Sequence, residues 1–317
     1  MMNAWLLNAL SFSTGKLHAP VNSYVVDSAR PEPSHNHDLQ NNWFEQVKPR
    51  LATRKRRLLH LLWHETRRTW HDLSSEQQTA IQALGWAPPR PVTSNNAKNG
   101  SGEDFLFYCR YLCVRVDRWL SPNNQKVEAW SNEKSPFRGK CSEEAMVARM
   151  ADLKSDHKYW GALVREYDFF RYPEQLKQMQ LSELGNYLER NIYRKMHQRW
   201  AKVPWHGGRT AGDINTEWDD ERYDWLADDY ASHVNKLFWY LLKWVDCRLD
   251  DWYEACSDEV EAVTVRGVPW FANSGQSSKI KIAQPWVGAG DADFDDVQGG
   301  LENMEKVFEI LSGRSSD

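Results

Sequence analysis

Apolar residues recur at intervals of three and four through the middle of the chain, which is the spacing of an α-helix. This pattern predicts core helices over 103–120, 182–201 and 232–255. A further stretch, 45–70, has leucines at helical spacing with basic residues between them, and it predicts a long, locally basic helix. The fold class predicted from the pattern is therefore mainly α-helical.

The pattern changes after residue 256. The segments EAVTVRGVPWF and KIKIAQPWV alternate partly between apolar and polar residues, and the turn-rich NSGQSS separates them. This arrangement is typical of a β-hairpin. Residues 301–311 then predict a terminal amphipathic helix.

The composition divides the chain into three parts. Residues 1–42 contain Pro20, Pro31 and Pro33 among polar residues and predict an extended N-terminal arm. Residues 43–256 form the predicted helical domain, and 257–317 a C-terminal extension with the hairpin and the last helix. Seventeen tryptophans, many of them in the helical stretches, are expected to fill gaps between crossing helices.

The charge and the hydrophobicity exclude some classes of partner. A net charge of −4 argues against general affinity for nucleic acid or an anionic membrane, and no apolar run is long enough to span a bilayer. The basic run from Arg50 to Arg57 is expected to form a solvated face beside the acidic stretch from Glu217 to Asp229.

Cysteine usage bears on the cellular compartment. The five cysteines are an odd number without a CxxC pair, which fits reduced thiols and predicts a cytoplasmic location. Cys109 and Cys113 have helical spacing, so a zinc site is conceivable, but no second pair supports it. The N-terminus has no basic residue before its short apolar patch, which argues against a secretory signal.

Three short elements carry candidate chemistry. The first has Leu188 and Glu189 followed at intervals of four by Tyr193 and His197, which places the last two on one helix face. The second has Phe238 and Trp239, then Leu242, then Val245, Asp246 and Arg248. The third, FLFYCRYL at 105–112, has Cys109 before Arg110.

Taken in chain order, at 105–112, 188–197 and 238–248, the three elements resemble the copper half-sites of tyrosinase-like type-3 copper proteins, over roughly residues 103–256. The resemblance implies a tyrosinase-like helical bundle and places Cys109, Tyr193, His197 and Leu242 at copper-ligand positions. Only His197 keeps the imidazole. Leucine cannot coordinate, and tyrosine and cysteine coordinate only as anions, so the pattern indicates a degenerate member of the family.

Other histidines could still furnish a metal site. His60 and His64 have i,i+4 spacing and His71 follows seven residues later, which on pattern alone supplies two or three imidazoles. No carboxylate or cysteine partner is identifiable for them. Together with His197 they are the candidate metal ligands, and copper is the alternative to a protein that has no cofactor.

Three hypotheses about function follow. The first is a pseudoenzyme that acts by binding a protein partner in a homo- or hetero-oligomer, for instance an active copper-containing paralogue. The second is an oxidoreductase that uses copper or another metal to act on phenols or amines. The third is an unrelated helical scaffold, because fold does not fix function.

Overall fold

The computed structural model describes the residues that form the helical body of the protein, and all of them belong to one unit of the chain, Asn41–Asp317. The described residues are 43–88, 90–92, 100–129, 169–170, 172–195, 216–224, 226, 228–256, 263–265, 278–280 and 300–313, with the single positions 158, 161 and 165. The predicted N-terminal arm, 1–42, lies outside them.

The basic segment forms two helices, so the prediction of one long helix over 45–70 is wrong. Helix α1 is Trp43–Leu51 and helix α2 is Arg54–Thr69. Pro49 lies inside α1, where it has no N–H to donate to the preceding turn, and the helix ends two residues later. Thr53 then has extended dihedral angles, φ −61° and ψ 143°, and α2 starts in a new direction.

The expected solvated basic face is only partly correct. Arg54 does pair with the acidic stretch, with Nη1 3.3 Å from Asp219 Oδ2. Arg57, however, is fully buried and donates to the backbone carbonyls of Ala52 at 2.8 Å, Tyr223 at 2.9 Å and Asp220 at 2.8 Å. Arg57 therefore holds the backbone around Asp220 and Tyr223 in place, and the charge pattern of the sequence does not indicate this role.

A 3₁₀ turn, Trp70–Asp72, follows α2 and leads to helix α3, Ser75–Ala83. Ser74 starts α3 with a capping box in which Ser74 and Gln77 bond each other's backbone N–H groups. Gly85, with φ +79°, allows the chain to turn away after α3. Helix α4, Ser101–Leu120, is the predicted apolar core helix and is buried along most of its length.

Helix α4 crosses helix α6, Leu181–Tyr187, at two glycines. A Cβ on Gly185 would lie 2.0 Å from the carbonyl oxygen of Gly102, and a Cβ on Gly102 would lie 2.1 Å from that of Ser182. Ser101 Oγ also donates to Asn186 Oδ1 at 3.1 Å. The two backbones therefore approach more closely than any larger residue would allow.

The predicted helix 182–201 is present as far as it is described. The short helix α5, Pro173–Leu176, precedes α6, and the helix after α6 widens into a π-helical segment, Leu188–Tyr193. Residues 196–201 lie outside the described part. The predicted helix 232–255 is helix α7, Lys236–Cys256, preceded by the 3₁₀ turn Ser232–Val234.

Helix α7 packs across α4 and α5, and helix α8, Leu301–Leu311, covers α2 and α3. Two short strands, β1 (Val263–Val265) and β2 (Ser278–Ile280), pair antiparallel with Val263 opposite Ile280. The connection between them lies outside the described residues, so the hairpin stays a prediction. Further 3₁₀ turns occur at Ser121–Asn123 and Thr216–Asp219.

The described structure is mainly α-helical, as predicted. Its core lies where α2, α4, the π-helical segment and α7 meet, and it is filled with bulky aromatic side chains, among them Trp63, Trp239 and Trp244. Within the described part of the chain, no helix combines the length and hydrophobicity needed to cross a bilayer. Cys109, Cys113, Cys247 and Cys256 form no disulfide among these residues.

Candidate functional site

A buried ion pair fixes α4 against α7. Arg110 Nε donates to Asp246 Oδ1, and Arg110 Nη2 donates to the Asp246 carbonyl at 3.0 Å. Arg110 Nη2 also lies 2.6 Å from Asp250 Oδ1, nearer to solvent. Because Arg110 and Asp246 are both almost fully buried, their pairing sets the register of the two helices. These are the residues next to the candidate copper-ligand positions.

Cys109 lies beside this pair and is fully buried on α4. Burial raises the pKa of the thiol well above its ordinary value, and the negative charges of Asp246 and Glu189 raise it further. The thiol is therefore protonated at neutral pH. The thiolate is the metal-binding and nucleophilic form of cysteine, so Cys109 has little of either reactivity here.

Tyr193 is the last residue of the π-helical segment and is 5% exposed. Its ring contacts those of Phe105 (centroids 5.3 Å apart), His64 (6.0 Å) and Phe238 (6.2 Å). Burial raises the pKa of the phenol well above 10, and the neighbouring Cys109 contributes to the shift. Tyr193 is thus a neutral aromatic core residue.

Leu242 is 1% exposed and lies on α7, one turn after Phe238 and one turn before Asp246. Residues at these intervals share a helix face. Phe238 contacts Tyr193, and the charge of Asp246 acts on Cys109, so Leu242 shares a helix face with a neighbour of each of the two other candidate residues. We call Cys109, Tyr193 and Leu242 the junction. His197, the fourth predicted position, lies outside the described residues.

A second ion pair, between Arg67 and Glu189, lies on the α2 side of the junction. Arg67 Nη1 and Nη2 lie 2.7 and 3.3 Å from the carboxylate oxygens of Glu189, and Nη2 also donates to the Ser101 carbonyl at 2.8 Å. The guanidinium lies over Trp63 at 4.3 Å. Glu189, which the resemblance marks only as a framework residue, therefore ties the π-helical segment to α2.

The structure places His60 and His64 next to the junction and His71 away from it. The rings of His60 and His64 lie 4.8 Å apart on α2, and His64 stacks towards Tyr193. His60 is buried, and its Nδ1 lies 2.5 Å from the carbonyl oxygen of Asp229. His71 is exposed in the 3₁₀ turn after α2. The three-histidine group suggested by spacing is therefore not a single cluster.

A histidine that the sequence did not indicate completes this region. His233, in the 3₁₀ turn before α7, lies with its ring centroid 4.7 Å from that of His60. Its Nε2 lies 3.1 Å from the carbonyl oxygen of Leu51, so Nε2 carries the proton and Nδ1 is left as an acceptor. Nδ1 is buried and has no hydrogen-bond partner among the described residues.

Burial lowers the pKa of His233 well below its ordinary value, and His60, Arg57 and Arg56 lower it further. His233 is therefore neutral at physiological pH. No local periodicity marks it, because it lies in a turn. The only available signal was its position five residues before Phe238, at the entry to α7.

The junction does not fit a pair of copper ions. Leu242 has no donor atom, and burial disfavours the thiolate of Cys109 and the phenolate of Tyr193, which are the forms that bind metal ions. In the described part of the chain, no group of three or more histidine, cysteine, aspartate or glutamate residues is arranged to hold a metal ion. The side chains at these positions instead fill space and exclude water.

Comparison with known proteins adds no assignment: no family model and no curated protein matches the sequence.

Proposed function

We propose that this protein is a non-catalytic member of the tyrosinase-like family, with the tyrosinase-like bundle and C-terminal hairpin that the sequence motifs imply. In this proposal it acts in the cytoplasm by binding a protein partner, such as an active copper-containing relative. The observation that carries the proposal is the burial of Cys109, Tyr193 and Leu242 in one apolar junction. A dicopper centre needs three neutral imidazoles per metal and an opening for oxygen, and this junction offers neither.

At a buried position that binds no metal, leucine stabilises the fold more than histidine does. An unligated buried imidazole must find hydrogen-bond partners, whereas burying a leucine side chain stabilises the fold by about 1.5–3 kcal/mol. Cys109 and Tyr193 at the neighbouring positions are likewise neutral and buried. The substitutions therefore favour a stable core over metal binding. In this proposal the protein acts through its surface, by binding a partner.

Metal content after copper loading tests the proposal. We expect elemental analysis of the full chain, loaded with copper and then desalted, to give well under two copper ions per chain, and we expect no oxidation of a diphenol. Two tightly held copper ions, together with a peroxide-to-copper absorption band under oxygen, would overturn the proposal. The triple variant Cys109→His, Tyr193→His, Leu242→His is the comparison, because together with His197 it places an imidazole at all four of the ligand positions that the resemblance identifies.

A second candidate function is a metal-dependent oxidoreductase that acts on phenols or amines. The observation closest to it is that the ring of His60 contacts the rings of His64 and His233, with centroids 4.8 and 4.7 Å apart, although the three imidazoles as they stand form no metal-binding group and would have to move to share an ion. The same loading experiment separates the two candidates. A single bound metal ion that is lost in His60→Gln and accompanies diphenol oxidation would support the oxidoreductase.

A further inference from the structure

The last helix, α8, is attached to the body of the protein by few buried side chains. It buries three of its eleven residues, whereas α4 buries twelve of twenty and α7 buries thirteen of twenty-one. A helix of this length is marginal in water by itself, so α8 is helical because it packs against its neighbours. Elements with few buried contacts are the first to open in a folded protein. We therefore expect α8 to leave the body before the core helices unfold.

The buried side chains of α8 form one face. Met304, Val307 and Phe308 are spaced at i, i+3 and i+4, so they lie side by side on the helix. On the opposite face, Lys306 Nζ lies 2.7 Å from Glu302 Oε1, and both side chains are largely exposed. The helix is therefore amphipathic, with an apolar face towards the protein and a charged face towards solvent.

Two polar contacts fix α8 on α2 and α3. Arg54 Nε, at the start of α2, donates to Glu305 Oε1 at 2.8 Å. Gln77 Nε2, at the start of α3, donates to the carbonyl oxygen of Ile310 at 3.1 Å. The two contacts lie near the two ends of α8, so they set its direction and its register.

Apolar residues accompany both polar contacts. Leu58 and Leu61 follow Arg54 by one and two turns on the same face of α2, and both are buried. Ile81 follows Gln77 by one turn on α3 and is also buried. We call the surface that carries these five residues the groove. It combines an apolar floor with a cation near one end and an amide near the other.

Arg54 is held in the groove by a second partner that does not belong to α8. Its Nη1 lies 3.3 Å from Asp219 Oδ2, and Asp219 in turn accepts a hydrogen bond from Tyr230 Oη. If α8 leaves, these contacts keep the guanidinium in place, and Nε, which now binds Glu305, becomes the donor for another carboxylate. The groove is therefore prepared for a helix that carries an acidic residue.

We propose that the groove binds an amphipathic helix of a protein partner in place of α8, and that α8 is the competitor within the chain. The partner helix has the pattern of Met304, Glu305, Val307 and Phe308: an apolar residue, an acid directly after it, and apolar residues three and four positions after the first. Such helix-in-groove binding is a common mode of recognition. The inference rests on the proposed function, because it gives the protein partner a surface. Its test contains no metal ion, so the two proposals can fail separately.

Fluorescence anisotropy of a labelled peptide with the sequence of residues 300–313 tests the proposal on the full chain. In the unmodified protein, α8 occupies the groove and competes with the peptide. Val307→Asp in the full chain places a charge at a fully buried position of α8, and it should strengthen binding of the unmodified peptide at least about tenfold. Glu302→Gln changes the exposed face of the same helix and should alter the affinity less than about twofold.

Further substitutions locate the peptide on the Val307→Asp chain. A peptide with Phe308→Ala lacks one apolar anchor and should bind at least about tenfold more weakly. Arg54→Gln in the chain removes the cation of the groove and should weaken the unmodified peptide about threefold. Arg68→Gln removes an exposed charge from the far end of α2 and should leave the affinity within about 1.5-fold.

Three outcomes would overturn the proposal. The first is equal affinity of the unmodified and Val307→Asp chains for the peptide, or no binding by either chain. The second is equal weakening by Arg54→Gln and Arg68→Gln, which would place the peptide outside the groove. The third is a dimer of the unmodified protein that the peptide converts to a monomer in light scattering, because the occupant would then be α8 of a second copy.

Circular dichroism checks the folding of each variant. If Val307→Asp does not fold, hydrogen exchange of the unmodified protein decides the proposal. The amides of α8 should exchange at least about a hundredfold faster than those in the middle of α4, because α8 opens without unfolding the core. Exchange of both helices at the same rate would mean that α8 leaves only when the whole protein unfolds, and the groove could not then receive a partner.

Discussion

Helix α4 contributes to two regions of different character, the junction and a narrow cleft that is lined by α2, α4 and the turn before α7. Cys109 and Cys113, four residues apart, point into the sealed core between the π-helical segment and α7. Tyr108, Leu112, Arg115 and Trp119, also at helical spacing, line the cleft. The two stripes are about 100° apart on the same helix. The junction is filled with neutral side chains, whereas the cleft has two arginines and two histidines among its lining residues.

The difference between the two regions depends on how closely the helices pack. Helices α4 and α6 approach within backbone contact at Gly102 and Gly185, about two turns before Cys109 along α4, and such close packing leaves no space for unpaired polar groups. The cleft is lined by α2, α4 and the turn before α7, and space for about one water remains there.

The largest expected effect comes from breaking the ion pair beside the junction. Asp246→Asn leaves Arg110 buried without its main partner, and the expected loss of unfolding free energy is about 3–5 kcal/mol. Chemical denaturation measures it. Asp250→Asn is the matched control on the same arginine, since the Asp250 side chain is 55% exposed, and it should cost less than about 1 kcal/mol. Equal losses would mean that Asp246 is less buried than described.

Truncating the leucine at the junction tests how well that region is filled. Leu242→Ala should leave a cavity and cost about 2–5 kcal/mol, seen as a drop of several degrees in the melting temperature. The control is Leu301→Ala on α8, where the side chain is exposed and the cost should stay below about 0.5 kcal/mol. An unchanged melting temperature for Leu242→Ala would indicate a water-filled pocket at the junction, so that the junction, like the cleft, would contain space for water.

The smallest expected effect is a loss of stability at acid pH that is caused by His233. The unfolded chain protonates His233 near pH 6.5, whereas the folded protein, which lowers the pKa of His233, does not. Stability is therefore greatest above pH about 6.5 and falls by up to about 1.4 kcal/mol for each pH unit below it, until the folded pKa is reached. The charged or titratable groups acting on His233 are His60, Arg56 and Arg57.

Thermal unfolding of the unmodified protein and of His233→Gln, between pH 7.5 and 5.5, measures this dependence. Glutamine can still donate to the Leu51 carbonyl but does not titrate. Because His60 and His233 act on each other, the difference between the two profiles reports His233 together with its effect on His60, whereas the more distant histidines contribute equally to both proteins. Parallel profiles would show that His233 is not held neutral by the fold.

Much of the helical fold was predictable because it depends on local periodicity. The core helix at 103–120 and the terminal helix at 301–311 are present within two residues of their predicted bounds. The basic helix was predicted too long, although the signal for the break, Pro49, was in the sequence. The π-helical segment was not predicted, because widening of a helix follows from the packing around it rather than from periodicity.

The site was predictable only in part. The order of the motifs indicated Cys109, Tyr193 and Leu242; all three are buried in the core, and their correspondence to ligand positions stays a prediction. Spacing also grouped His71 with His60 and His64, but His71 lies on the surface, since spacing along one helix does not extend past its end. His233 was missed because its partners, His60 and Leu51, are far from it in sequence.

The sequence by itself determined which stretches are helical and which positions are apolar, because these follow from side-chain chemistry repeated at a fixed period. Only the tertiary structure decided which polar groups are buried and with what partners. Three contacts between distant segments show this: Arg57 donates to the carbonyl of Tyr223, Arg110 pairs with Asp246, and His233 packs against His60. Burial and charge depend on what packs against a residue, and the chain brings those partners together only when it folds.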